Sequence, residues 1–147
     1  MRYLVALCML VGCGLPTKVD PSNIHWAEYT NPNGYSLSYP AEYKPETNDG
    51  EVIFRYYLNV PMLVRWTDEA GAQGHDLWFG HAPVMEMNLA GVNGKKYIYD
   101  HHDGPSSSRT VSYVIPFKGK FLALEFRTEG ELDSAEKRVL DSFSVNP

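Results

Sequence analysis

Thr110-Val111-Ser112-Tyr113-Val114-Ile115-Pro116-Phe117, Lys118-Gly119, then Lys120-Phe121-Leu122-Ala123-Leu124-Glu125-Phe126-Arg127 is the stretch on which the fold turns. Val111, Tyr113, Ile115 and Phe117 recur at every second residue, and so do Leu122, Leu124 and Phe126 beyond Lys118-Gly119. A period of two puts alternate side chains on opposite faces, so the stretch reads as a hairpin with one buried face. The period then changes. Leu132, Ala135, Val139 and Phe143 share one face of a helix. Asp133 or Ser134 suits its N-cap, and Lys137 and Arg138 fall late, where the helix dipole favours cations. Strands followed by one amphipathic helix predict an α+β domain: a central antiparallel sheet of about six strands with a C-terminal amphipathic helix packed on it.

The same alternation extends toward the N-terminus. Val84 to Leu89 sets Met85, Met87 and Leu89 against Glu86 and Asn88. Asn93-Gly94 reads as the hairpin turn that follows, since both residues tolerate positive φ, and Lys95 to Asp100 as the return. Asp103-Gly104-Pro105-Ser106-Ser107-Ser108 reads as a loop. Further upstream, Glu51 to Val60 alternates with Val52, Phe54, Tyr56 and Leu58 on one face. Met62 to Trp66 continues it, with Pro61 marking a bend or an edge. Tyr35-Ser36-Leu37-Ser38-Tyr39 is a half-buried strand between the Asn31-Pro32-Asn33-Gly34 turn and Pro40. Thr67 to Pro83 is broken by Gly71, Gly74 and Gly80 around Leu77-Trp78-Phe79, and its pattern fits a short helix, a strand or a loop.

At the start of the chain, Met1-Arg2 precedes the apolar run Tyr3 to Val11, too short for the roughly 20 residues of a membrane span. A basic start, a short apolar core and small residues after it make a secretory signal. Leu10-Val11-Gly12-Cys13 resembles the bacterial lipobox, in which the cysteine becomes the first residue and carries lipid. The resemblance implies a signal peptide over residues 1–12, lipidation of Cys13, and two or three acyl chains. One chain alone anchors only marginally. Gly14 stands where an Asp would resemble an inner-membrane retention signal, so the outer membrane is favoured. Residues 13–30, with Pro16 and Pro21, read as the lipidated cysteine and its tether, and residues 31–147 as a single domain.

Composition narrows the function. The 147-residue chain carries 13 basic and 18 acidic residues, and loss of Arg2 with the signal takes the net charge from −5 to −6. Nucleic acid and anionic lipid both select clustered Lys and Arg, which this chain lacks. The only cysteines are Cys8, in the signal, and Cys13, so the mature domain is held by packing without disulfides.

Two segments carry a second resemblance. Asn33-Gly34-Tyr35-Ser36-Leu37-Ser38-Tyr39-Pro40, together with Gly119 to Phe126 and the closing Leu140-Asp141-Ser142-Phe143, resembles the PsbP-like family, named for an extrinsic subunit of photosystem II. The resemblance implies an antiparallel sheet with helices on both sides, and an accessory or binding role toward a protein partner without catalysis. The glycine-broken stretch from Thr67 to Pro83 departs from the family's usual helix.

Two constellations bear on chemistry. Asp100-His101-His102-Asp103 combines imidazole and carboxylate ligands suited to zinc, copper or calcium, and His75 and His81 are the residues that would complete the set. That is the basis of an alternative reading as a metal-dependent or hydrolytic envelope enzyme using His75, His81, His101 and His102. Neighbouring strand residues face opposite ways, so at most two of the four converge without a turn, and the plain alternative is a solvated hairpin loop. Trp66, Trp78 and Phe79, with Tyr57, are aromatics without an evident core partner and mark a candidate binding surface. No cofactor motif is present: no glycine-rich phosphate loop or nucleophile elbow stands in the sequence.

Overall fold

The computed structural model describes residues 18–68, 84–103 and 106–146. Among the described residues, ten strands form two antiparallel sheets, accompanied by one α-helix and a short 3₁₀ turn at Pro21–Asn23. The small sheet has the order β1-β2-β10, from Trp26–Asn31, Tyr35–Pro40 and Ser144–Val145. The large sheet has seven strands in the order β3-β4-β5-β9-β8-β7-β6. They are β3 (Lys44–Asn48), β4 (Glu51–Tyr56), β5 (Asn59–Thr67), β6 (Val84–Leu89), β7 (Val92–Asp103), β8 (Ser106–Phe117) and β9 (Lys120–Thr128). The expected antiparallel sheet with a C-terminal helix is present, but it has more strands than the six expected, and a second sheet accompanies it.

The β8–β9 hairpin is built as its alternation dictates. Val111, Tyr113 and Ile115 pair with Phe126, Leu124 and Leu122, and all six are buried on one face. Across β9 the same face continues through Met62 and Val64, and then through Phe54 and Val52 of β4. The small sheet and the helix α1 (Ser134–Ser142) cover that face. Tyr29 and Tyr39 set their rings 5.6 and 5.0 Å from Phe54, and Tyr35 stacks 6.0 Å from Phe143, just past the helix. Asp133 caps α1: its side chain accepts from the Glu136 N–H at 2.9 Å, and Glu136 accepts from the Asp133 N–H at 2.9 Å. Lys137 and Arg138 are not in the last turn, contrary to expectation. Arg138 lies over the Trp26 ring at 4.2 Å instead. On the opposite face of the large sheet, Tyr97, Tyr99, Val114 and Ala123 form a second buried cluster.

Four local expectations are overturned. Residues 26–30, assigned to the tether, are strand β1, so the folded body starts earlier than Asn31. The strand expected over Glu51 to Val60 ends at Tyr56, and the chain turns at Tyr57-Leu58. Pro61 lies inside β5, next to a register shift opposite Phe54 and Tyr56 and before the β9 pairing begins at Met62, so it marks a local irregularity and not the boundary between two strands. The turn after β6 is Ala90-Gly91, with φ of +53° and +79°, and not Asn93-Gly94. Gly94 is instead a close-packed strand residue, since a Cβ there would collide with the Val114 carbonyl oxygen and lie 2.8 Å from Ile115 Cγ2. Finally, β7 and β8 form one long hairpin with Asp103 opposite Ser106, so Ser106 to Ser108 belong to a strand rather than a loop.

Candidate functional site

The proposed ligand row Asp100 to Asp103 lies in the last third of β7, not at a loop. There Asp100 faces Arg109 and His101 faces Ser108 in register. Asp100 accepts from Arg109 Nε at 2.6 Å and from its second nitrogen at 3.2 Å. The Asp100 hydrogen bond and charge hold the Arg109 guanidinium above its ordinary pKa. His101 Nε2 lies 3.0 Å from Thr110 Oγ1, on the other face of the sheet. The strand therefore separates Asp100 from His101, as alternation requires. The side chains of His102 and Asp103 lie outside the described residues, as do His75 and His81. Among the described residues no three His, Cys, Asp or Glu side chains gather as metal ligands.

The aromatic candidates divide in the same way. Trp66 is only partly exposed. It stacks on Phe117 at 5.8 Å with 16° between the rings, and its edge lines an open depression with Lys120 and Phe121. It is core with a rim, not a free platform. Trp78 and Phe79 lie outside the described residues, and Cys13 does as well. Tyr57 is the aromatic that stands out: it is 60% exposed, and the following Leu58 is 84% exposed. These two residues form the β4–β5 turn, between Tyr56 and its partner Asn59. Tyr57 has φ of +54°, the left-handed region that side chains avoid, and its ring packs edge-on to Tyr56 at 4.7 Å.

Beside this turn lies a groove of about 510 Å³. It is lined by Leu58 to Pro61 from the turn and the start of β5, by Ser108 of β8, by Arg127 to Glu131 from the end of β9 onward, and by Lys18. The lining is apolar along the turn and charged along the loop, so the groove can bury an apolar side chain while holding polar groups at its rim.

Lys18 is fixed by an ion-pair cluster. Its Nζ donates to Glu136 Oε1 and to Thr128 Oγ1 at 3.2 Å, and it lies 3.6 Å from Asp133 Oδ2. Glu136 is buried. Burial pushes its carboxyl above the usual range, and the Lys18 hydrogen bond and charge pull the other way. Val19 packs against the core, and its backbone bonds the Tyr43 hydroxyl, whose pKa is raised by burial and by the Asp133 and Glu136 charges. The sequence reading missed this cluster. Lys18 and Glu136 are 118 residues apart, and no local pattern links them.

No family model matches the sequence, and no curated protein matches it. Among solved structures, one from Bacteroides thetaiotaomicron VPI-5482 is similar over 82% of this chain, with a TM-score of 0.59 and 9% sequence identity. The match covers 48% of that protein, so the chain spans about half its length. At that identity the likeness concerns the fold alone.

Proposed function

We propose that this is a lipid-anchored, non-catalytic protein of the bacterial cell envelope, a PsbP-like accessory module that binds a protein partner in the groove beside the Tyr57–Leu58 turn. The observation that carries the reading is the docking of Lys18. Cys13 is five residues upstream, and five residues reach at most about 17 Å when extended. The eighteen-residue tether expected from the prolines is thereby cut short. The Lys18 side of the groove then stays within about 17 Å of an acylated Cys13, and a partner that fills it works near the membrane surface. Outer-membrane residence follows the absence of an Asp after Cys13.

The test has two parts. Intact mass of the mature protein reads the anchor: an N-terminal acylated Cys13, and release of Cys13→Ala from membranes, are expected. A photo-crosslinking amino acid at Glu129, on the groove, is then compared with one at Asn48, at the opposite end of the sheet. One discrete crosslinked protein from Glu129 and none from Asn48 is expected. Equal crosslinking from both positions would remove the groove as the recognition surface.

A further inference from the structure

Resting on the lipid-anchor reading above, we infer that the Tyr57–Leu58 turn is a second membrane contact, seated at the boundary between headgroups and acyl chains of the bilayer that holds Cys13. Three large hydrophobic residues are well exposed among the described residues: Tyr57, Leu58 and Met85. Two of them are consecutive and crown one hairpin. Only the first central residue of this turn has positive φ, a pattern in which glycine is the unstrained choice. Local backbone chemistry therefore does not account for a tyrosine there. Neither does core packing, since Leu58 points 84% of its surface to solvent.

The bilayer is the occupant that fits, for three reasons. The first is reach. Leu58 and Lys18 line the same groove, and Lys18 is five residues from Cys13, so at most about 17 Å of extended chain separates the groove's lysine from the anchor. The second is chemistry. A tyrosine ring with a hydroxyl at its tip, next to a leucine, suits an interface that is apolar below and wet above. The third is charge. Lys18 is paired with Glu136 and Asp133, Glu131 with Arg109, and the groove lining holds two basic and two acidic side chains, so no basic patch beside the turn calls for anionic lipid. A two-residue apolar tip is too small to hold a protein on a membrane alone, but it adds to acyl chains as a second signal. It would fix the rotation of the domain, turning the groove's mouth along the bilayer.

The experiment uses the full-length acylated protein in phosphatidylcholine vesicles. Leu58→Cys and, as control, Asn48→Cys at the opposite end of the sheet are labelled with an environment-sensitive fluorophore, and spin-labelled lipids serve as quenchers. The label at position 58 is expected to shift to the blue and be quenched by lipid, and that at 48 to do neither. Equal behaviour at both positions would overturn the inference. So would a blue shift at 58 that resists lipid quenching and grows with protein density, which is contact with protein instead. Intact mass separates the two readings. Without acyl mass on Cys13 the anchor fails and this placement falls with it, whereas acyl mass without quenching removes the turn contact alone. A second variant, Tyr57→Gly with Leu58→Ser, relieves the backbone and should fold at least as stably. Its transfer between vesicles should be at least about tenfold faster, since the loss of even one of the two buried apolar side chains is worth that much. Unchanged transfer with unchanged fold would count against the contact.

Discussion

Replacing Lys18 by Met keeps most of the aliphatic stem and volume and removes the charge, which isolates the ion pair that pins the N-terminal segment. Lys18 donates to Glu136 and Thr128, and the Glu136 side chain is only 8% exposed while that of Lys18 is 24% exposed. A hydrogen bond to a charged group contributes about 1.5–3 kcal/mol, and breaking a fully buried pair costs about 3–5 kcal/mol. The part-exposed lysine places this pair at the lower end, about 2 kcal/mol at pH 7.5. At pH 4 the Glu136 carboxyl, held above its usual range by burial, is protonated in both proteins. The loss there should shrink to about 1 kcal/mol, because the lysine then donates to an uncharged carboxyl and its Coulomb attraction to Glu136 is gone. Urea unfolding at the two pH values measures this: at a slope of about 2 kcal/mol per molar, the midpoint should fall by about 1 M at pH 7.5 and by about half of that at pH 4. An equal loss at both pH values would refute the ion-pair reasoning, and no loss at pH 7.5 would refute the docking of Lys18 itself.

Three further outcomes follow from the same geometry. Glu136 binds its proton more tightly folded than unfolded, so its contribution is fully present below the ordinary Glu value of 4.5 and declines as pH rises through its raised value; Glu136→Gln, which keeps an acceptor for Lys18 and Asp133, should flatten that part of the pH–stability curve. Gly94→Ala should cost about 3 kcal/mol by overpacking against the Val114 carbonyl, whereas Gly91→Ala, at a φ of +79° with open space around it, should cost about 1 kcal/mol of backbone strain, and thermal unfolding would rank them. Tyr57→Gly should raise stability by about 1 kcal/mol, readable as a higher melting temperature, because the left-handed backbone no longer carries a side chain.

The sequence pattern carried the fold wherever burial follows a period. Tyr35 and Leu37, Val52 and Phe54, Leu122, Leu124 and Phe126, and Leu132, Val139 and Phe143 all lie in one core, and Asp133 caps the helix as its position suggested. Turns were harder to read, because a turn's position is set by register and not by its own residues. Asn93-Gly94 has the better turn chemistry, yet the pairing of Leu89 with Val92 puts the bend at Ala90-Gly91, and Gly94 is small because a neighbouring strand passes close by. At Tyr57-Leu58 the apolar alternation of β4 runs straight on, so nothing in the period marks where the chain leaves the sheet. Strand β1 was masked by Pro21 and Pro32 on either side of it. The candidate site depends on Lys18 meeting Glu136 across most of the chain, a contact that folding creates and local spacing cannot announce. The metal ligands were weighed as neighbours in sequence, and the strand geometry that holds Asp100 against Arg109 and His101 near Thr110 pulls them apart.

One edge of the large sheet has a bearing on life at a crowded surface. Strand β3 carries every residue exposed, with Lys44 and Pro45 at its start. Proline offers no N–H to an incoming strand, and a lysine on the rim resists a second sheet laid alongside. Molecules confined to a membrane meet one another far more often than the same number free in solution, and an inviting rim would let them zip into fibres. Strand β3 closes that route along its own flank, so copies held on a membrane as proposed would not join edge to edge through β3.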